Sequence, residues 1–213
     1  VPWRGYFDLM RRADVFVLYD EVQYTKNDWR NRNQIITKNG PVWLTIPVKK
    51  SGKFGQSIAE TEVINGSWAA KHWRTISQTY AKSPHFDEVS SWLEICYTSA
   101  ADQTHISKVN EIFLRAIARY LNLDTRIIHS STLSGTADRI ERLVQICKHV
   151  DAQRYLSGPA AKSYLDETHF VDQGIAVDWM DYPKYPQTLS NPDQAPASIL
   201  DALFWRPKAE VFE

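Results

Sequence analysis

This sequence predicts an α/β fold with a mostly parallel sheet, flanking helices and a helical insertion, and three observations lead there. Short apolar runs without a polar face alternate with stretches of helical period, the pattern of repeated βαβ units. One block, about 65–121, carries helical spacing throughout and reads as an insertion between strands. Neither an internal repeat nor a Gly/Ser- or Pro-rich linker divides the 213 residues, so a single unit over residues 1–213 is expected.

The elements follow in order. Trp3, Tyr6, Phe7 and Met10 keep the i, i+3, i+4, i+7 rhythm of an amphipathic helix over 3–12. Asp14-Val-Phe-Val-Leu-Tyr-Asp20 is an almost unbroken apolar run ending in an acid, which reads as a strand covered on both faces. A first strand is expected upstream of Val1, so that the helix over 3–12 completes a βαβ unit. After the Asn39-Gly40 turn signal, Val42 to Val48 reads as another strand. Asn65-Gly66-Ser67 reads as a cap for a helix carrying Trp68, His72, Trp73, Ile76 and Tyr80. Ser83-Pro84 interrupts it, and a second helix runs to about Tyr97. Ile106, Val109, Ile112, Phe113, Ala116, Ile117 and Tyr120 form the clearest stripe in the chain. Then come a strand at 125–130, a helix at 137–149, a strand at 154–157, a short helix at 160–165 and a strand at 175–179.

Composition removes several function classes. Lys plus Arg equals Asp plus Glu at 25 each, so no whole-chain field draws in nucleic acid or an anionic membrane. Hydrophobic residues make up 43% and charged residues 23%, which excludes a disordered chain. No apolar run approaches the roughly 18 residues of a membrane span. Cys96 and Cys147 fit neither a disulfide framework nor a zinc spacing, and a reducing, cytoplasmic setting is expected. The six histidines show no HxH, HExxH or Cys/His pairing, so no zinc site is expected. No metal or cofactor is assigned to the site, and Asp20 with Asp28 could share a magnesium ion on a phosphorylated substrate only if a hairpin brings them together.

The chemistry concentrates in one stretch. Asp20, Gln23, Tyr24, Lys26, Trp29, Arg30, Asn31, Arg32 and Asn33 follow a buried strand, the position where ligands of open α/β sheets bind. Arg30 and Arg32 offer planar forks for phosphate, and Lys26 a point charge. The amides of Gln23, Asn31 and Asn33 both donate and accept, which suits sugar hydroxyls or a base edge. Trp29 and Tyr24 can stack a flat ring. The competing reading is a solvated hairpin whose charges pair locally. A single-stranded nucleic-acid surface fits poorly, because Asp20, Glu21 and Asp28 interrupt the basic residues. Ser157-Gly158, between a strand and a short helix, reads either as an anion-binding turn or as an ordinary tight turn. His72 lies on an aromatic helix face, as a packed histidine or as a general base.

Gly5-Tyr6-Phe7, Ala13-Asp14-Val15-Phe16-Val17, Asp20-Glu-Val22-Gln23-Tyr24 and Asp28-Trp29-Arg30-Asn31-Arg32-Asn33 together resemble the opening signature of the WbqC-like family. The resemblance continues through Trp43-Leu44-Thr45-Ile46-Pro47-Val48, Trp68 with Lys71-His72, Pro84-His85-Phe86, and Tyr155-Leu156-Ser157-Gly158-Pro159. It implies a role in bacterial surface-polysaccharide (O-antigen type) biosynthesis. The implied activity is transfer of an acyl or aminoacyl group, glycine in one proposal, to the amine of a nucleotide-linked amino sugar. A carrier-protein thioester or an aminoacyl-tRNA would be the donor, and no specific nucleic-acid target is implied. On this reading Arg32 with Arg30 or Lys26 holds the diphosphate, and Asn31, Asn33 and Gln23 hold sugar or base. Asp20 or His72 takes the amine proton, and main-chain N–H groups at Ser157-Gly158 face the oxyanion. The alternative is a non-catalytic sugar-nucleotide-binding or scaffold protein of the same pathway. A looser likeness in element order to nucleotidyltransferase-like domains makes the expected sheet Rossmann-like. Their His-x-Gly-His pair is absent here, so their chemistry is not expected.

Overall fold

A computed structural model describes residues 1–64, 66–135, 138–185 and 197–213. The chain divides into two compact units. The first comprises 1–7, 20–123 and 185–213, the second 8–19 and 124–184.

The first unit is built on an antiparallel hairpin, β2 (Arg32–Thr37) and β3 (Gly40–Thr45), joined at Lys38-Asn39. Gly40 takes a φ of +103° there, a conformation that a Cβ would strain. Three long helices cover the hairpin's side of the unit: α2 (Ser67–Tyr80), α3 (Phe86–Ala101) and α4 (Ile106–Tyr120). The break at Ser83-Pro84 falls between α2 and α3 as expected. In α4 the predicted stripe is buried at Ile106, Val109, Phe113 and Ile117. Leu114 and Ala118 join it, because a helix packed on two sides buries a wider arc than one stripe. A short helix, α7 (Leu200–Trp205), closes the unit, with Phe204 stacked on Tyr80 at 4.4 Å between centroids. Asn65, read as part of the α2 cap, lies outside the described residues.

The second unit is α/β with parallel pairing. Strand β1 (Val15–Leu18) pairs with β4 (Arg126–His129), and β5 (Arg154–Ser157) with β6 (Ala176–Trp179). Helix α5 (Arg139–His149) begins at Asp138, whose carboxylate accepts from the Ile140 and Glu141 N–H groups at 3.1 and 2.9 Å. That satisfies two orphan donors of the first turn. Ala137, the expected start of this helix, lies outside the described residues. Val144 and Cys147 of α5 pack with Leu165, Phe170 and Ile175, Phe170 coming from the short helix α6 (Thr168–Val171). Tyr155 of β5 stacks on Phe170 at 4.9 Å. Arg142, 5% exposed, donates to the carbonyls of Ser130, Leu133 and Ser134 and holds the turn after β4. The helix over 3–12 is observed as α1 (Arg4–Arg11).

Four expectations change. Residues 20–31 form an irregular loop rather than a hairpin, and Arg32 and Asn33 open β2. The polar residues hid that strand, because Asn and Arg on a short ladder look like loop composition. The segment at 160–165 is a 3-10 turn over Pro159–Ser163 rather than an α-helix. The described strands form three two-stranded ladders, two parallel and one antiparallel, instead of one continuous sheet. Val15, Phe16 and Val17, which read as fully buried, are only half-buried, because among the described residues β1 has a paired strand on one edge only. No described helix is long and apolar enough to cross a membrane.

Candidate functional site

Strand alternation sorts the residues of the polar segment. In β2 Asn33 and Ile35 turn to the buried side and Arg32 and Gln34 to the other. Arg32 sits opposite Thr45, and Gln34 opposite Trp43, so Arg32 and Trp43 are diagonal neighbours across the ladder. The Arg32 guanidinium lies 4.3 Å over the Trp43 ring. Trp29 comes from the loop and brings its indole to 6.0 Å from Trp43. Trp29 is 52% and Trp43 44% exposed, an unusual state for two neighbouring indoles. Arg30 pairs with Asp28 and donates to Thr25 Oγ1 at 3.2 Å. Burial pushes the Tyr24 phenol up in pKa, and the charges of Arg30 and Arg32 oppose that shift. The result is two half-exposed indoles, one of them beneath the Arg32 guanidinium.

Behind this surface lies a cavity of about 20 Å³ lined by Arg32, Asn31, Asn33, Trp68 and His72 among others. That is room for about one water, far short of a sugar nucleotide. The amides are committed to the fold. Asn31 Nδ2 donates to the Ile46 carbonyl at 3.0 Å, and Asn33 Nδ2 to the Val1 carbonyl at 2.9 Å. Asn31 Oδ1, Trp68 Nε1 and Arg32 Nε are buried without a protein partner.

His72 Nε2 stands 3.1 Å from the Thr45 carbonyl. A carbonyl only accepts, so the proton sits on Nε2 and Nδ1 is the free lone pair. Packed at 5.2 Å from Trp68 and 6.1 Å from Tyr97, the imidazole is pushed down to about 4, chiefly by burial. A base that weak takes up a proton poorly near neutral pH.

Other residues of the sequence-predicted site lie apart from this cavity's lining. Gln23 is exposed and forms a β-bridge with Ser57, and Lys26 is exposed. Asp20 is half-buried, its carbonyl accepts from the Ala59 N–H at 2.9 Å, and its charge helps raise the Tyr6 phenol. Ser157 and Gly158 belong to the second unit. Pro159 follows them and opens the 3-10 turn, which removes one donor an anion there would use. Among the described residues no three His, Cys, Asp or Glu side chains converge as a metal site. Sequence reasoning missed Trp43. Its signal was an indole in a strand next to the Asn39-Gly40 turn, on a hairpin too short to bury both faces.

The comparisons with known proteins agree on kinship. A protein of Mycobacterium tuberculosis (strain ATCC 25618 / H37Rv) described as "Uncharacterized protein Rv1507c" is 42% identical over 206 residues, 96% of this chain and 89% of that protein. No solved structure matches. The model of the WbqC-like protein family matches residues 1–212, and the chain belongs to that family.

Proposed function

We propose that this protein binds a nucleotide-linked amino sugar for bacterial surface-polysaccharide biosynthesis and transfers an acyl or aminoacyl group to its amine. The observation that carries the reading is the pair of half-exposed indoles, Trp29 and Trp43, with the Arg32 guanidinium over Trp43. Indole faces take a base or a sugar ring, and the guanidiniums take the diphosphate. In the reaction the neutral amine attacks the donor carbonyl and forms the C–N bond. The amine proton passes to Asp20, with His72 as the lesser alternative. The donor's C–S or C–O bond then breaks, and the thiol or hydroxyl leaves with a proton. The donor is a carrier-protein thioester or an aminoacyl-tRNA. Incubation with nucleotide-linked amino sugars and both donor types, read by mass spectrometry, tests the proposal: a mass gain on the sugar supports it.

A second reading is favoured by the small cavity and by the Thr45-bound His72. In it the platform binds the sugar nucleotide without chemistry. Saturable binding with no mass gain across the donor panel selects this reading over the first.

A further inference from the structure

We propose that Ser134 and His149 of the second unit form a nucleophile–base pair that takes an acyl group from an activated ester, a site independent of the indole pair described above. Ser134 Oγ stands 3.1 Å from His149 Nε2, and His149 Nδ1 stands 2.8 Å from the Gln145 carbonyl. A carbonyl only accepts, so in the neutral ring Nδ1 carries the proton and Nε2 the lone pair. Ser134 therefore donates its hydroxyl proton to Nε2. Nucleophile, base and orienting acceptor follow in the order that activates a serine, with a main-chain carbonyl in the third place.

Both members are held in place by the fold. His149 is the last residue of α5, and its Nδ1 bond reaches back one turn of that helix. Ser134 lies in the loop after β4, where the buried Arg142 Nη1 donates to its carbonyl at 2.7 Å. Arg142 Nη2 donates to the Ser130 and Leu133 carbonyls, each at 2.8 Å. A Cβ at Gly135 would stand 1.9 Å from Arg142 Nη1, so the residue after the serine has to be glycine for the loop to close on the guanidinium. Three charge-assisted bonds already anchor this loop, and the hydroxyl–imidazole contact is not needed to hold it. Ser134 and His149 are exposed, which leaves Oγ open to a donor arriving from solution. In the reaction His149 Nε2 takes the hydroxyl proton as Oγ forms a C–O bond to the ester carbonyl carbon. The tetrahedral intermediate then breaks its bond to the leaving oxygen, which receives that proton from Nε2. Water, deprotonated by the same nitrogen, later releases the carboxylic acid and restores the serine.

Two probes test this. With p-nitrophenyl acetate, the native protein is expected to release nitrophenol at least about 100-fold faster than Ser134→Ala or His149→Gln. A fluorophosphonate forms a P–O bond to an activated serine with loss of fluoride and does not turn over, so peptide mass spectrometry locates it. The label is expected on Ser134 in the native protein and is expected to be lost in His149→Gln. Ser134→Ala leaves every carbonyl that Arg142 bonds in place, and a melting curve checks that each variant is folded. If a variant does not fold, the labelled position in the native protein decides. Nitrophenol release unchanged in folded Ser134→Ala overturns the proposal. So does a label on a lysine or on His149 instead of Ser134, a Ser134 label undiminished in His149→Gln, or a native protein that takes no label.

Discussion

Arg32 and Trp43 are diagonal partners across the β2–β3 ladder, with the guanidinium 4.3 Å above an indole that remains 44% exposed. A cation held over a half-exposed ring is worth about 0.5–1 kcal/mol to the fold. Trp43→Ala is therefore expected to lower stability by no more than about 1 kcal/mol. The same variant is expected to weaken binding of a nucleotide-linked amino sugar at least tenfold, about 1.4 kcal/mol. Isothermal titration and thermal melting on one preparation check both numbers. Unchanged affinity would remove the platform from the account.

The depressed imidazole of His72 makes stability depend on pH. An unfolded histidine titrates near 6.5 and the folded one near 4. Below 6.5 the unfolded state takes up a proton that the folded state refuses, so stability is full above about pH 6.5 and falls as the pH drops toward 4. At pH 5 the loss from this group is about 2 kcal/mol. Denaturant unfolding at pH 7 and pH 5 is expected to show that loss in the native protein and less of it in His72→Gln. An NMR titration in which the ring protonates near 6.5 in the folded protein would contradict the assignment.

The cavity behind Arg32 is expected to hold one ordered water bonded to Asn31 Oδ1, the buried acceptor left without a protein partner. Asn31→Ala removes the Nδ2 bond to Ile46 as well and is expected to cost about 1–3 kcal/mol. A high-resolution crystal structure checks the water, and a melting curve checks the variant.

Arg142 satisfies three carbonyls of the turn after β4 from a nearly inaccessible position. Arg142→Ala strands those acceptors, and a loss of about 3 kcal/mol is expected. Lys is a poor substitute, because one ammonium does not reproduce a planar fork. A melting temperature for Arg142→Lys within a degree of the native one would show that the charge alone suffices.

Much of the second unit was legible in the sequence. Val15–Leu18, Arg126–His129 and Arg154–Ser157 are short apolar or mixed runs between helices of strong period, and they form strands within a residue or two of expectation. β2 was not legible, because Arg32, Asn33 and Gln34 carry no apolar alternation and its strand character comes from pairing with β3. The site was legible as a cluster of residue types but not as a geometry. Asn31 and Asn33 look like ligand amides in sequence, and the fold turns both inward to bond main-chain carbonyls. Trp43 looked like one more strand residue until the register set it beside Arg32. His72 was read as base or packed ring, and only its neighbours Thr45, Trp68 and Tyr97 reveal how firmly it is held neutral.

The central claim is that the face of Trp29, Trp43 and Arg32 receives a flat, phosphorylated ligand. A fluorescence titration with a nucleotide diphosphate-linked amino sugar tests it most directly, run on the native protein and on Arg32→Ala. Saturable quenching in the native protein, abolished in Arg32→Ala with a loss of stability of no more than about 1 kcal/mol, is the predicted result. Quenching that survives Arg32→Ala at full affinity, or no response from the native protein, contradicts it.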